Sequence, residues 1–152
     1  MNIKIKKLHN DAIVPKYQTS GSSGFDLHSI EDINIEPRMT ALIKTGFCMS
    51  IPEGYEMQIR PRSGLSLKSK LRIANSPGTV DSDYTGEIAI IIDNIKSEDY
   101  TNPSGLDIIK IKKGDRIAQG VIVPIIRAIF EEVNELPKTD RGTSGFGSTG
   151  KN

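Results

Sequence analysis

Short segments in which apolar and polar residues alternate constrain this chain more than any other feature of its sequence. Residues 3–6 and 33–35 alternate isoleucine with lysine or asparagine, and residues 55–60 place an apolar or aromatic side chain at every second position. A period of two directs one face of a strand to the core and the other away from it. The isoleucine-rich run 87–92 predicts a strand that is buried on both faces.

Turn signals separate these segments and indicate the fold class. Further strands are predicted at 106–111 and 117–126, and clusters of Pro, Gly, Asn and Asp fall between the strands. Many short strands with such punctuation predict an all-β sandwich, barrel or jelly roll, and no alternation of strands with helices is present. One or two helical turns are predicted around 63–69. Aromatic residues make up only 5% of the chain, so the core is expected to consist mostly of Ile, Leu and Val.

Length, charge and cysteine content narrow the class of protein. The chain has 152 residues, which is enough for one domain with one core. Its 20 basic and 19 acidic residues nearly cancel, which does not favour nonspecific binding to nucleic acid. Cys48 is the only cysteine and cannot form an internal disulfide. No apolar run could cross a bilayer and residues 1–8 lack a signal-peptide core, so we expect a cytoplasmic protein without nucleic-acid or membrane partners.

The C-terminal segment 139–152 differs in composition from the rest of the chain. It consists mainly of Gly, Ser, Thr and charged residues, which bury too little surface to order on their own. Phe146 in its middle is either an incidental aromatic in a loose tail or the anchor of a flap that closes over a ligand. In the second case Arg141 and the glycine amides would face an anion. Composition alone leaves both readings open.

Residues 61–66 form a turn with the chemistry of an anion site. Arg62 offers a planar fork of donors, Ser63 a hydroxyl, and Gly64 lets the backbone approach a ligand. The alternative is a plain turn from a strand into a short helix. These three residues do not decide between the two readings.

Residues 75–87 gather three carboxylates in a short space. Asp81, Asp83 and Glu87 could supply a general base or a metal ligand, or be ordinary turn residues. Other hydrolytic machinery is missing from the sequence. His9 and His28 are the only histidines, neither lies in a Gly-x-Ser-x-Gly motif, and no Cys/His zinc cluster or Walker loop is present.

Taken in order along the chain, five stretches resemble the five motifs of the trimeric dUTPase family. They are residues 21–29, 61–66, 75–87, 114–119 and 141–150. The resemblance spans nearly the whole chain with family-like spacing, and it favours the functional readings above.

The resemblance implies a fold, an assembly and an activity. The fold would be a jelly-roll-like β barrel of residues 1–138 with one short helix, followed by a flexible arm of residues 139–152. Three copies would form a homotrimer whose active sites are shared, each arm closing the site of a neighbour. The enzyme would hydrolyse dUTP to dUMP and pyrophosphate with Mg²⁺, which limits uracil incorporation into DNA and supplies dUMP for thymidylate synthesis.

The resemblance also implies roles for residues at the base and sugar. Asp81 resembles the general base that activates a water for attack on the α-phosphorus. Tyr84 would pack on the deoxyribose and leave no room for a ribose 2′-hydroxyl. The uracil edge would be bound by a group in and around the hairpin before Asp81, namely Asn75, Gly78, Thr79 and Val80.

Phosphates and metal would be bound elsewhere in the sequence. The phosphate-binding group would be Arg62, Ser63, Gly64 and Gln119. Asp26 would contact Mg²⁺ through water, the ion being held mainly by the triphosphate. In the arm, Phe146 would stack on uracil. The remaining arm residues implied at the substrate are Arg141, Gly147, Ser148 and Thr149.

Some positions depart from the family pattern, and two other functions compete. Ser144 stands where many relatives have glycine, Phe25 replaces a tyrosine and Ser23 an alanine, and the loop 95–105 is longer than in compact relatives. One competing function is that of the related dCTP deaminase, which shares the fold. The other is a nucleotide sensor or regulatory partner that does not hydrolyse its ligand.

Overall fold

In the computed structural model, residues 1–97 and 108–145 are described, and in these ranges the chain forms eleven strands and one helix. In chain order they are β1 (Lys4–Lys7), β2 (Phe25–His28), β3 (Ile33–Ile35), β4 (Thr40–Lys44), β5 (Phe47–Ser50), β6 (Tyr55–Arg60), α1 (Ser63–Lys68), β7 (Leu71–Ile73), β8 (Gly78–Val80), β9 (Ala89–Asn94), β10 (Ile109–Ile111) and β11 (Arg116–Pro124). The predicted all-β class and the short helix near 63–69 are confirmed.

The strands form four small sheets in which every pairing is antiparallel. The largest has the order β2-β11-β6-β8, a second has the order β4-β9-β7, and β1-β5 and β10-β3 form pairs. In the largest sheet Gln119 of β11 lies opposite Asp26 of β2 on one side and Arg60 of β6 on the other. The pairing therefore brings together stretches that are far apart in the sequence.

The core is aliphatic, as the composition predicts. Phe25 and Phe47 are its only buried aromatic side chains in the described part of the chain. The fully or nearly fully buried isoleucines are Ile35, Ile43, Ile51, Ile59, Ile73, Ile88, Ile90, Ile92, Ile111 and Ile117. β-branched side chains suit the pleated surface of a strand, and their burial supplies the hydrophobic stabilisation that aromatic residues supply in other domains.

Two strand predictions need correction. The strand expected at 87–92 begins at Ala89, and it is not buried on both faces: Ile90 and Ile92 are buried, whereas Ile91 is half-buried. The reason is that β9 is the centre of a three-stranded sheet with only one face on the core. The strand expected at 117–126 ends at Pro124.

The ends of the chain follow the sequence pattern. The lysines of β1 are exposed, whereas Ile3 and Ile5 pack against the core. Of the strand predicted at 106–111, residues 109–111 form β10, and residues 106–107 lie outside the described residues. Residues 125–145 contain no helix or strand and are mostly exposed. Among the described residues, no helix combines the length and apolar character that crossing a bilayer requires.

Candidate active site

The turn after β7, strand β8 and the residues that follow line a groove of about 460 Å³. Strand β8 is fixed beside it by antiparallel pairing with residues 57–59 of β6. The predicted site residues along the groove are Asn75, Gly78, Thr79, Val80, Asp81 and Tyr84. The structure therefore brings together every residue predicted to act at the base and sugar, apart from those in the arm.

The side-chain amide of Asn75 packs closely against Gly78. A Cβ atom at Gly78 would lie 3.2 Å from Nδ2 of Asn75 and 3.3 Å from Cβ of Ile59. Such contacts are tighter than side chains ordinarily make, so a residue larger than glycine would displace the amide. The amide offers one acceptor and two donor hydrogens at the groove, which is the chemistry needed to read the edge of a base.

Asp81 follows β8 directly and lies at the boundary between two cavities. It lines the 460 Å³ groove and also a neighbouring open cavity of about 730 Å³. The residue is exposed, and within residues 1–97 and 108–145 its carboxylate accepts no hydrogen bond and forms no ion pair. Its lone pairs are therefore available to orient a water molecule or a ligand.

Tyr84 is held near Asp81 by a turn and forms one wall of the groove. Its backbone N–H donates to the carbonyl oxygen of Asp81 at 3.2 Å, and its hydroxyl donates to the carbonyl oxygen of Glu87 at 3.0 Å. The side chain remains 47% exposed. An aromatic ring with one open face can pack against the flat side of a sugar.

The residues predicted to bind phosphates lie around the start of α1. Arg62 immediately precedes the helix, and Ser63 and Gly64 form its exposed first turn. The side-chain amide of Gln119 donates to the carbonyl oxygen of Pro61 at 2.9 Å. This bond ties β11 to the turn that presents Arg62.

Asp26 is nearly buried and is the centre of a charged network. Its carboxylate accepts from Nε of Arg62 at 2.9 Å, from Nη1 of Arg116 at 3.3 Å and from Nε2 of Gln18 at 3.0 Å. Two guanidinium groups share one carboxylate, so the network has an excess of positive charge. Such an arrangement favours a phosphate nearby, because guanidinium groups bind phosphate oxygens with fixed geometry.

His28 lies two residues from Asp26 on the same strand and is half-buried. Burial lowers the pKa of its imidazole, the nearby Asp26 carboxylate opposes that effect, and the cationic Arg116 and Arg62 add to it. Its Nδ1 atom is buried, and no group in the described residues forms a hydrogen bond with it. The neutral form of His28 is therefore favoured beside the arginines.

The residues near Asp26 fit a metal ion that is held mainly by a ligand. No cluster of three His, Cys, Asp or Glu side chains able to hold a metal is present among the described residues. Asp26 provides a carboxylate that is joined to Arg62 of the predicted phosphate site, and it already accepts three hydrogen bonds. This donor set could contribute one oxygen to hydrated Mg²⁺ on a triphosphate, whereas it does not fit a metal cage made of protein alone.

Among the described residues, the groove that holds the base-binding group is not lined by the phosphate-binding group of the same chain. The described residues that line the 460 Å³ groove do not include Arg62, Ser63, Gly64 or Gln119. Arg141 is exposed, and its Nε donates locally to the carbonyl oxygen of Ser144 at 2.9 Å. The remaining predicted arm residues, Phe146, Gly147, Ser148 and Thr149, lie outside the described residues, as does most of the 95–105 loop.

Several residues at these sites were not assigned a role from the sequence. Arg116 lies within the stretch 114–119, and its register opposite His28 explains its contact with Asp26. Gln18 carries no local signal, since it belongs to an irregular segment. The groove is also lined by Leu42, Lys44 and Ile91, which come from β4 and β9 and belong to none of the five stretches.

Comparison with known proteins identifies the family. The dUTPase family model matches residues 10–150. A deoxyuridine 5′-triphosphate nucleotidohydrolase of Helicobacter pylori (strain P12) is 50% identical over 150 residues, covering 99% of this chain and 97% of that protein. The dUTPase of Staphylococcus bacteriophage 80alpha with dUPNHPP superimposes with a TM-score of 0.88 at 33% identity, over 99% of both chains.

A second solved structure bears on metal binding in relatives. A dUTPase mutant from phage phi11 of S. aureus matches with a TM-score of 0.82 at 30% identity, over 91% of this chain and 100% of that one, and it coordinates a structural Mg(II) ion. The predicted fold, the order of the motifs and the family match agree over almost the entire chain. This chain therefore belongs to the dUTPase family, the enzymes that hydrolyse dUTP to dUMP and pyrophosphate.

Proposed function

We propose that this chain hydrolyses dUTP by attack of water on the α-phosphorus, with Asp81 as the general base. The observation that carries the proposal is the position of the Asp81 carboxylate, which lies at the edge of the base-binding groove with no cation among the described residues to hold it. The water oxygen bonds to phosphorus and its proton passes to Asp81. The bond from the α-phosphorus to the bridging oxygen breaks, and pyrophosphate leaves.

Alignment contributes more to this step than the basicity of the carboxylate. A carboxylate is a weak base in water, so the rate depends on holding water and phosphorus in line. The Asn75 amide and the backbone of Gly78, Thr79 and Val80 fix the uracil, and Tyr84 fixes the sugar. A cytosine in the same place leaves donors and acceptors unpaired, which costs binding energy.

The triphosphate is bound by the turn around α1 and by β11. Arg62 and Gln119 provide charge and amide donors there, and Ser63 and Gly64 provide a hydroxyl and accessible backbone. Asp26 keeps the Arg62 guanidinium in one orientation by the 2.9 Å ion pair. The phosphate donors are therefore ordered before the substrate arrives, which reduces the entropy lost on binding.

Mg²⁺ is the proposed cofactor and would be held chiefly by the phosphates. Asp26 would be the protein group that contacts its water shell. When bound, the ion offsets negative charge on the phosphate oxygens and so favours attack by water. The phi11 relative coordinates a structural Mg(II) ion, so at least one relative binds this metal.

A homotrimer with shared sites is the proposed assembly. Leu42 and Ile91 are directly paired on the outer face of β4 and β9, and Leu42 is 58% exposed. Farther along the chain, Ile126, Ile129 and Phe130 are almost fully exposed. Apolar surface of this extent is typical of a protein interface. Contact between copies would also bring the phosphate-binding group of one chain to the base-binding groove of another, whose described lining does not include that group.

The arm completes the proposed site. Residues 139–152 of one copy close over the site of a neighbour, with Phe146 on the uracil and Arg141, Gly147, Ser148 and Thr149 at the phosphates. Closure excludes water other than the attacking molecule and aligns the phosphorus. Light scattering should give three times the mass of one chain, and a monomeric mass would contradict the shared site.

Pyrophosphate release tests the function directly. The purified chain is incubated with dUTP, dCTP, dTTP and UTP in parallel, with and without Mg²⁺. We expect release from dUTP with Mg²⁺ and far less in every other reaction. Ammonia release from dCTP would support the deaminase alternative. Tight dUTP binding without pyrophosphate would support a regulatory nucleotide-binding protein.

A further inference from the structure

The ring of Tyr84 lies directly over Gly86. A Cβ atom at residue 86 would lie 2.5 Å from the Tyr84 hydroxyl oxygen, 2.6 Å from Cζ and 2.9 Å from Cε2. Side chains do not approach one another this closely. Gly86 does not have a positive φ, so the backbone conformation does not require glycine at this position. What glycine provides is the space that the tyrosine ring occupies.

Two hydrogen bonds hold Tyr84 in that space. The hydroxyl donates to the Glu87 carbonyl at 3.0 Å, and the backbone N–H donates to the Asp81 carbonyl at 3.2 Å. The ring is therefore fixed at its hydroxyl end and at its backbone. Gly86 is the residue between those two attachments that leaves room for the ring.

The segment after Gly86 is attached firmly to the rest of the fold. The Glu87 carboxylate accepts from the backbone N–H of Gly46 at 2.9 Å. The backbone N–H of Ile88 donates to Phe47 at 2.9 Å, and the buried Thr45 hydroxyl donates to the carbonyl of Ile88 at 2.6 Å. The acceptor of the Tyr84 hydroxyl is thus part of a rigid framework, so the ring cannot relax by carrying this segment with it.

The geometry points to Gly86 as a specificity-determining residue that acts by positioning Tyr84. The inference rests on the proposed function, in which Tyr84 forms the wall that excludes a ribose 2′-hydroxyl. A methyl group at residue 86 forces the ring out of its place, and the wall no longer fits the deoxyribose. Discrimination between dUTP and UTP should then weaken, although Gly86 is not among the residues that line the groove.

The test compares kcat/KM for dUTP and UTP in Gly86→Ala and wild type. We expect the dUTP-to-UTP ratio to fall roughly tenfold or more, in the range that a misfit of one small group produces in a binding pocket. Gly21→Ala is the matched control, because a Cβ there meets no atom within 4 Å. It should keep the wild-type ratio. An unchanged ratio in a folded Gly86→Ala protein would overturn the inference.

A double-mutant cycle separates positioning from a general structural effect. In a Tyr84→Ala background there is no ring to displace, so adding Gly86→Ala should leave the ratio unchanged. If Gly86→Ala lowers the dUTP-to-UTP ratio equally in the wild-type and Tyr84→Ala backgrounds, the inference is contradicted. If Gly86→Ala alone fails to fold, recovery of folding in the double variant supports it, and failure of both contradicts it. Wild type that releases no pyrophosphate from dUTP would instead refute the proposed function.

Discussion

The Nε atom of Arg62 lies 2.9 Å from Oδ1 of Asp26, and that ion pair joins the turn before α1 to strand β2. Arg116 on β11 approaches the other carboxylate oxygen at 3.3 Å. One acidic side chain, only 9% exposed, therefore connects three elements that the sequence keeps apart. The same network orients the Arg62 guanidinium, which binds phosphate in the proposed function. The stability of the fold and the binding of phosphate therefore both depend on Asp26.

Asp26→Asn should destabilise the protein, because it leaves two guanidinium groups without their counter-charge. Breaking a fully buried pair costs ~3–5 kcal/mol. Arg116 keeps contact with solvent, so we expect a loss of about 2–3 kcal/mol in the free energy of unfolding. Urea unfolding at fixed protein concentration measures this loss. Asp11→Asn is the control: it breaks the exposed ion pair with Lys113 and should cost much less. Equal losses would contradict a special role for Asp26.

Acidification should weaken the fold through His28. Burial lowers the pKa of His28 in the folded protein, so the unfolded chain, with an ordinary pKa near ~6.5, binds the proton more readily. This contribution to stability is complete above about pH 6.5 and is lost as the pH falls toward the folded-state pKa. His28→Gln should therefore lose less stability than wild type between about pH 7 and 5.5. Thermal unfolding across that range measures this loss, and an equal loss of stability in His28→Gln and wild type would contradict the contribution of His28.

Asp81→Asn should abolish most of the turnover and keep binding. The amide is nearly the same size as the carboxylate and cannot accept the proton of the attacking water. The loss of a general base lowers kcat by about a hundredfold or more. Steady-state pyrophosphate release measures kcat, and calorimetry with a nonhydrolysable dUTP analogue measures affinity. Turnover near the wild-type value would exclude Asp81 as the base.

The exposed aromatic Phe130 gives a test of assembly. It is 95% exposed in a single chain, and substitution of such a residue in a monomer changes stability by less than ~0.5 kcal/mol. If copies pack over it, Phe130→Ser removes a buried ring at the interface, and the mass in solution should fall at low protein concentration. Glu131→Ser provides the neighbouring exposed control. If the mass in solution depends on protein concentration in the same way for both variants, Phe130 lies outside the interface.

Clear alternation of apolar and polar residues predicted β1, β3 and β6. Length does not separate the predicted strands from the others, because β3 has three residues and β4, which was not predicted, has five. The strands that the sequence did not predict are β2, β4, β5, β7 and β8. Strands without a clear local pattern form through their tertiary partners. The exposure of Ile91 could not be read from its isoleucine-rich run, because hydrophobicity does not tell whether the second face of a strand is covered within the same chain.

The difference between local pattern and tertiary pairing also explains which contacts of the site could be predicted from the sequence. Asn75, Asp81 and Tyr84 belong to one continuous stretch, so their proximity follows from the sequence once the stretch is identified. The contact between Arg116 and Asp26 joins residues 90 positions apart, and it depends on antiparallel pairing of β2 with β11. The requirement for glycine at 86 depends on where the Tyr84 ring lies, which no local pattern determines.

Removal of residues 139–152 should leave the fold intact and collapse the activity. Residues 139–145, the described part of this segment, are mostly exposed and lie outside any strand. Their removal costs little packing, so the unfolding temperature should change little. Catalysis requires the arm for closure in the proposed mechanism, so kcat/KM for dUTP should fall by orders of magnitude while the oligomeric mass persists. Mixing the truncated chain with full-length Asp81→Asn tests whether copies share an active site. The truncated chain supplies Asp81 and the full-length variant supplies the arm, so activity is recovered only if the two act in one site. Full activity in the truncated protein alone would show that the arm is dispensable.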